Sequence, residues 1–157
     1  MIVTLISFIL SGTMWLEHDV SRNALHTALT TTVLTVSCFA IHELGHAMTA
    51  IRHRVSIREF AVGLYLGIIP IFYFKYRDFK IAPSKTKFKI VLAGVYVNFI
   101  AAITSLFLSL QTWVPVTIAD IALQFAILNG IMIVANLFPS RLSDGYYIMS
   151  LLINKYD

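Results

Sequence analysis

Charge is what this chain has least of. Acidic and basic residues make up 13% of its 157 residues against 58% hydrophobic ones, and its mean hydropathy is +0.79. A soluble domain carries about a quarter of its residues as charges. An ordinary water-soluble globule is therefore excluded, and a small integral membrane protein is expected. Cysteine is nearly absent: Cys38 stands alone, so no internal disulfide can form. No repeat, low-complexity tract or long linker is visible, and a single membrane-embedded domain over residues 1–157 is the expectation. Residues 1–16 are apolar but lack the basic n-region of a cleaved signal peptide. They read as a retained, short or tilted membrane helix, near the lower length limit for spanning.

What charge there is has a location. Nine of the twelve basic residues lie between Arg52 and Lys89, so this stretch reads as a cytoplasmic membrane-surface segment. The basic residues are interleaved with strongly apolar ones, which argues against a nucleic-acid partner.

The remaining segments follow from apolar runs and their interruptions. Residues 17–23 form a polar turn. Residues 29–51 are long enough to cross the ~30 Å hydrocarbon core at ~1.5 Å per residue, and Arg52, His53 and Arg54 close them at an interface. Residues 56–76 mix glycines, a proline, β-branched residues and aromatics. That composition predicts two short strands around a turn rather than a continuous helix. Open strands cannot face lipid, so the hairpin should pack against protein or line a watered cavity. Two further membrane segments are expected at 88–110 and 116–137, joined by a short external turn containing Trp113 and Pro115. Gln124 and Asn129 should bond across helices. The tail ends in a short apolar helix at 146–153. The fold class is thus an α-helical polytopic membrane protein of about four membrane segments plus a short membrane-associated β-hairpin.

Into this apolar background the chain sets His42-Glu43-Leu44-Gly45-His46. Two histidines four residues apart share one helix face and can bind one Zn²⁺, and the intervening glutamate can act as general base on a water. Ionisable groups at membrane depth cost a few kcal/mol each on insertion scales, so a functional use is expected. A solvated helix face is the bland alternative, and the flanking Phe39-Ala40-Ile41 and Ala47-Met48 argue against it. Cys38 reads as a small buried hydrophobe.

Two histidines leave zinc short of ligands. A catalytic site usually has three protein ligands and an open position. His53, Glu59, Asp78 and Asp144 are the acids and histidines that reach the same leaflet. His53 lies two turns beyond His46, about 10 Å away by helix rise. Glu59 and Asp78 sit among basic residues that can pair with them. Asp144 follows a proline-broken helix end and precedes Gly145, which can turn a carboxylate back into the interior.

The motifs together resemble the site-2 protease class of intramembrane zinc metalloproteases. The first motif is His42 to His46. The second runs from Asn136 through Pro139 to Asp144-Gly145, with Asn, Pro, Asp and Gly at the class spacing. Ala93-Gly94-Val95-Tyr96-Val97-Asn98 resembles a third, with Val95 in place of its proline, and Ser143 stands where leucine is usual. Within the class the chain is most similar to small bacterial peptide zinc metalloproteases, without the PDZ-like domain of many relatives.

The resemblance implies one zinc per chain held by His42, His46 and Asp144, with Glu43 as the catalytic base. A second donor for the oxyanion is expected from Asn98 or Asn136, and Asn136 beside Pro139 also reads as a cap for the broken helix. Gly45 lets another backbone approach the metal helix. Substrate, a membrane protein or peptide precursor, is expected to add as a strand to the hairpin near Leu66. The site should lie toward the cytoplasmic leaflet of a bacterial cytoplasmic membrane, with the C-terminus cytoplasmic. A regulatory membrane partner or an oligomer stays open. The competing reading is a non-catalytic, zinc-containing membrane subunit that binds a peptide or scaffolds an exporter.

Overall fold

The computed structural model of the protein describes residues 20–65, 69–140 and 143–153. The expected membrane segment at 1–16 and the expected strand-addition residue Leu66 lie outside the described residues. In chain order the elements are α1 (Val20–Arg52), β1 (Ile57–Tyr65), β2 (Ile69–Tyr76), α2 (Ser84–Ser109), α3 (Val116–Leu137) and α4 (Asp144–Ile153).

Three of these helices are long and apolar enough to cross a membrane: α1 over Ala24–Arg52, then α2 and α3. Helix α4, with 10 residues, is only about 15 Å long and too short to span. Among the described residues there are thus three candidate spans where about four segments were expected. Their outward faces carry exposed apolar side chains, among them Leu29, Val33, Ile103, Phe107, Ile118 and Val134. A continuous apolar exterior of this kind suits lipid rather than water.

Helix α1 begins earlier than its apolar run, so Arg22 and Asn23 are helical rather than part of a turn. No glycine or proline lies between Val20 and Leu44 to break it. Its other end is a tight reversal. Arg54 adopts φ 59°, the left-handed conformation usual at the position after a helix C-cap. The Val55 N–H bonds the Ala50 carbonyl at 2.9 Å and the Arg54 N–H bonds that of Ile51 at 3.0 Å. This is the Schellman pattern, with an arginine where glycine is usual. It folds Val55 back against Ala50 and sends the chain into β1.

Prolines set the starts of the next two helices. Pro83 and Pro115 have ψ of 144° and 139° and immediately precede α2 and α3. Their carbonyls accept the first helical N–H groups, Thr86 and Lys87 at one end and Ile118 and Ala119 at the other. Helix α3 stops at Leu137 because Phe138 is extended (φ −65°, ψ 127°), as a residue before proline must be.

The hairpin is antiparallel, with register from Ile57↔Tyr76 to Tyr65↔Ile69 and an irregularity between Ile57 and Glu59. It rests on protein, as expected, with β2 lying against α1. Helices α2 and α3 form the most extensive pair, α1 crosses both, and α4 tucks against their ends. Two apolar clusters result. Cys38, Leu128 and Met132 pack together with Leu34, Phe39 and Phe125. Ala50, Val55 and Ile90 pack with Tyr76, Phe79 and Ala82. They lie on either side of His42 and His46 along α1, so the histidines are clamped between two cores.

Candidate metal centre

Helix α1 presents His42 and His46 from successive turns, with only 4% and 7% of their surfaces exposed. Ten and six residues respectively separate them from Arg52, which places them about 15 and 9 Å below the charged helix end. The third group arrives from α4. Asp144 Oδ2 is 3.1 Å from His42 Nε2 and 3.3 Å from His46 Nε2, and the two Nε2 atoms are 3.1 Å apart. The donors thus form a nearly equilateral triangle. For a tetrahedral zinc with ligands at 2.0–2.1 Å, adjacent ligand atoms stand about 3.3 Å apart. The donor set and its spacing fit that ion.

The tautomer also fits. His46 Nδ1 lies 2.7 Å from the Ile90 carbonyl, which can only accept, so Nδ1 carries the proton. That leaves the Nε2 lone pair directed at the triangle's centre. His42 Nδ1 has no such partner among the described residues. Cys38 is fully buried in the apolar cluster and does not join the donor group.

Three glycines let the elements close on this point. A Cβ on Gly94 would stand 2.5 Å from His46 Nε2 and 2.7 Å from His42 Cε1, so α2 passes directly over the imidazoles. A Cβ on Gly45 would meet the Ala93 carbonyl at 2.8 Å, in line with the expectation that this position admits another backbone. A Cβ on Gly145 would overlap the Leu137 carbonyl, so glycine after Asp144 lets α4 begin hard against the end of α3.

Ser143 fixes that beginning. It is 5% exposed. Its hydroxyl accepts from the N–H groups of Ser140 (3.1 Å) and Tyr146 (3.3 Å) and donates toward the carbonyls of Phe138 and Ser140. Tyr146 is three residues on, so Ser143 is the N-cap of α4. The residue that departs from the class motif therefore holds Asp144 in place by a polar lock. A serine before an acidic residue and an apolar run is a helix-start signal that the sequence reading left unused.

Glu43, between the two histidines, is half-buried and faces the Phe74 backbone amide of β2. Asn98 is fully buried one turn beyond Gly94, and neither of its amide atoms has a partner among the described residues. The Asn136 amide donates to the Met132 carbonyl at 3.0 Å, so it is tied to its own helix. Asn129 likewise bonds the Phe125 carbonyl within α3 at 2.8 Å. The expected bond across helices is replaced by one to the preceding turn. Glu59 pairs with Lys75 on the hairpin surface, as expected for an acid among bases. That ion pair lowers the Glu59 carboxyl from its ordinary value. Burial, then the charges of Glu43 and Asp144, push the Tyr76 phenol up, so it stays protonated.

The sequence profile of peptidase family M50 matches residues 30–122, well over half of the chain. The chain belongs to peptidase family M50. This is the site-2 protease family of membrane-embedded zinc metalloproteases. No curated protein and no solved structure matches this chain. The M50 match includes the His42–His46 motif, and Asp144 lies beyond it. The convergence of Asp144 with the two histidines therefore rests on the geometry of the fold itself.

Proposed function

We propose that this M50 member is an endopeptidase that hydrolyses a peptide bond within or next to a membrane segment of a protein or a small peptide precursor. The carrying observation is the 3.1–3.3 Å triangle of His42 Nε2, His46 Nε2 and Asp144 Oδ2 with Glu43 on the same helix. These three residues would hold one zinc per chain. When bound, zinc supplies Lewis-acid polarisation of the scissile carbonyl and lowers the pKa of an attacking water. Glu43 takes the proton from that water and returns it to the leaving amine. Asn98, buried and without a partner among the described residues, would hold the substrate backbone or the developing oxyanion. Asn136 serves the helix end.

The three spans and the short α4 support a polytopic arrangement in which the loop between α1 and α2 faces the cytoplasm. Helix α2 then leads away from that side and α3 returns to it, bringing Asp144 to the leaflet of the histidines. Substrate adds to the hairpin as a strand, and Leu66→Pro should depress cleavage far more than Leu66→Ala.

The deciding experiment compares Glu43→Gln with the wild type. The variant should retain about one zinc per chain while cleavage falls by roughly 10²–10⁴-fold, the usual worth of a general base. Comparative proteomics of the two membranes then identifies substrates by the peptides that disappear. If Glu43→Gln keeps both its zinc and the biological phenotype, a scaffold role replaces proteolysis. Ser84→Cys should resist impermeant thiol reagents outside intact cells, and labelling there would reverse the orientation.

A further inference from the structure

The two imidazoles of the metal centre stand in unequal surroundings. A metal-bound histidine almost always donates its second ring N–H to an acceptor, which fixes the ring's tautomer and orientation. His46 does so through Nδ1, 2.7 Å from the Ile90 carbonyl. His42 Nδ1 is sealed from solvent and has no hydrogen-bond partner among the described residues. Once Nε2 gives its lone pair to a metal, Nδ1 must carry the proton. It is then a buried donor in need of an acceptor.

Helix α2 meets these rings with one row of residues, Ile90, Gly94 and Asn98, each one turn from the last. The row runs opposite to His46 and His42 on α1. The Ile90 carbonyl meets His46. Gly94 comes next and reaches both rings: a Cβ there would stand 2.5 Å from His46 Nε2 and 2.7 Å from His42 Cε1. Cε1 is bonded directly to Nδ1, so the unpartnered donor lies beside this contact. Asn98 follows in the row, on the His42 side of Gly94. Helical side chains lean toward the helix N-terminus, over the preceding turn. The Asn98 amide therefore lies back over Gly94, which has no side chain to bar it from the His42 ring. Asn98 is fully buried, and neither of its amide atoms has a partner among the described residues. A donor without an acceptor and an amide without partners thus occupy adjoining places in one buried row.

We propose that Asn98 is a positioning residue for the metal, its Oδ1 accepting a hydrogen bond from His42 Nδ1 when zinc is held at Nε2. This rests on the three-ligand zinc site above and not on proteolysis. The broad χ2 torsion of asparagine lets the amide turn its oxygen to that donor. Nδ2 stays available for the substrate role given to Asn98. Each histidine is then oriented by α2, His46 by a backbone carbonyl and His42 by a side chain one turn beyond Gly94. Asn129 also has a buried oxygen without a partner among the described residues. It is the weaker acceptor, because its nitrogen is tied to the Phe125 carbonyl and its neighbours Leu128 and Met132 pack at Cys38, one turn before His42.

The test uses full-length protein in detergent micelles, with zinc as the probe. In chelator competition, Asn98→Leu should bind zinc roughly ten- to a hundredfold more weakly than the wild type, the usual effect of losing such an outer partner. Asn98→Asp keeps an acceptor in place and should restore the affinity, whereas Asn129→Leu should leave it unchanged. With nitrogen-15 histidine, the zinc-loaded wild type should show two slowly exchanging imidazole N–H signals, from His42 and His46. Asn98→Leu should keep only that of His46. A single protected signal in the zinc-loaded wild type would overturn the assignment even if Asn98→Leu fails to fold. Equal zinc affinity in the wild type and Asn98→Leu would overturn it as well, as would a loss found in Asn129→Leu instead. A wild type that takes up no zinc overturns the metal site and this inference together.

Discussion

The junction of α1, α2 and α4 and the β1–β2 hairpin solve opposite problems. At the junction the backbones pass so closely that there is no room for a methyl group at Gly45, Gly94 or Gly145. His46 is oriented by the Ile90 carbonyl of α2, and Asp144 reaches the two histidines from α4. In the hairpin, Phe60 and Val62 are more than half exposed, and among the described residues each strand has only the other as its neighbour in the sheet. A rigid pocket holds an ion at fixed distances, and an open strand pair accepts a chain of varied sequence. Under the proposed function, that difference would assign chemical precision to helix and substrate tolerance to strand.

Removing a donor from the junction should have the largest effect. Alanine at His42, His46 or Asp144 should abolish stoichiometric zinc and activity together, read by metal analysis of purified protein. Asp144→Ala is the sharpest of the three, because Asp144 alone comes from outside α1. Full zinc occupancy in that variant would remove it from the site. A subtler intrusion comes next. Gly94→Ala should push the imidazoles apart and cost most of the zinc affinity. Gly130→Ala, where an added Cβ meets nothing within 4 Å, should be neutral or stabilising by up to about 1 kcal/mol. Equal metal affinity in these two variants would show that the junction is not the tight fit described.

Much of this contrast was readable before any coordinates. The span at 116–137 coincides with α3, since Pro115 and Pro139 bracket it in the sequence. The glycine- and aromatic-rich texture of 56–76 announced strands. The two histidine ligands were legible because they are neighbours on one helix turn. What stayed hidden depends on contacts between distant elements. Ile90 offers only a carbonyl, which every residue has, so nothing in its identity marks it as the partner of His46. Ser143 was visible as a departure from the motif, but three of its four backbone partners, on Phe138 and Ser140, come from a loop whose path the sequence does not specify.

Ser143→Ala tests that lock with a smaller expected effect. Loss of the N-cap should cost about 1 kcal/mol, seen as a lower melting temperature, with a modest fall in zinc affinity as Asp144 loosens. The smallest effect belongs to the hairpin surface. Glu59 is exposed and paired with Lys75, so its depressed carboxyl contributes stability only above its ordinary titration range. That contribution is lost as pH falls through the lowered value. Glu59→Gln should therefore leave thermal stability near neutral pH almost unchanged, and a large drop would mean that the hairpin is not the lightly tethered element described.

Arg54 carries a consequence of another kind. Its backbone sits where glycine is comfortable and any side chain is strained by about 1 kcal/mol. Its side chain, however, is a cation at the mouth of a membrane helix, where positive charge biases which way a nascent chain threads through the bilayer. The relaxed conformer and the correctly inserted one thus ask for different residues at a single position. Here the demand made during biogenesis, before any tertiary contact exists, is the one the sequence satisfies.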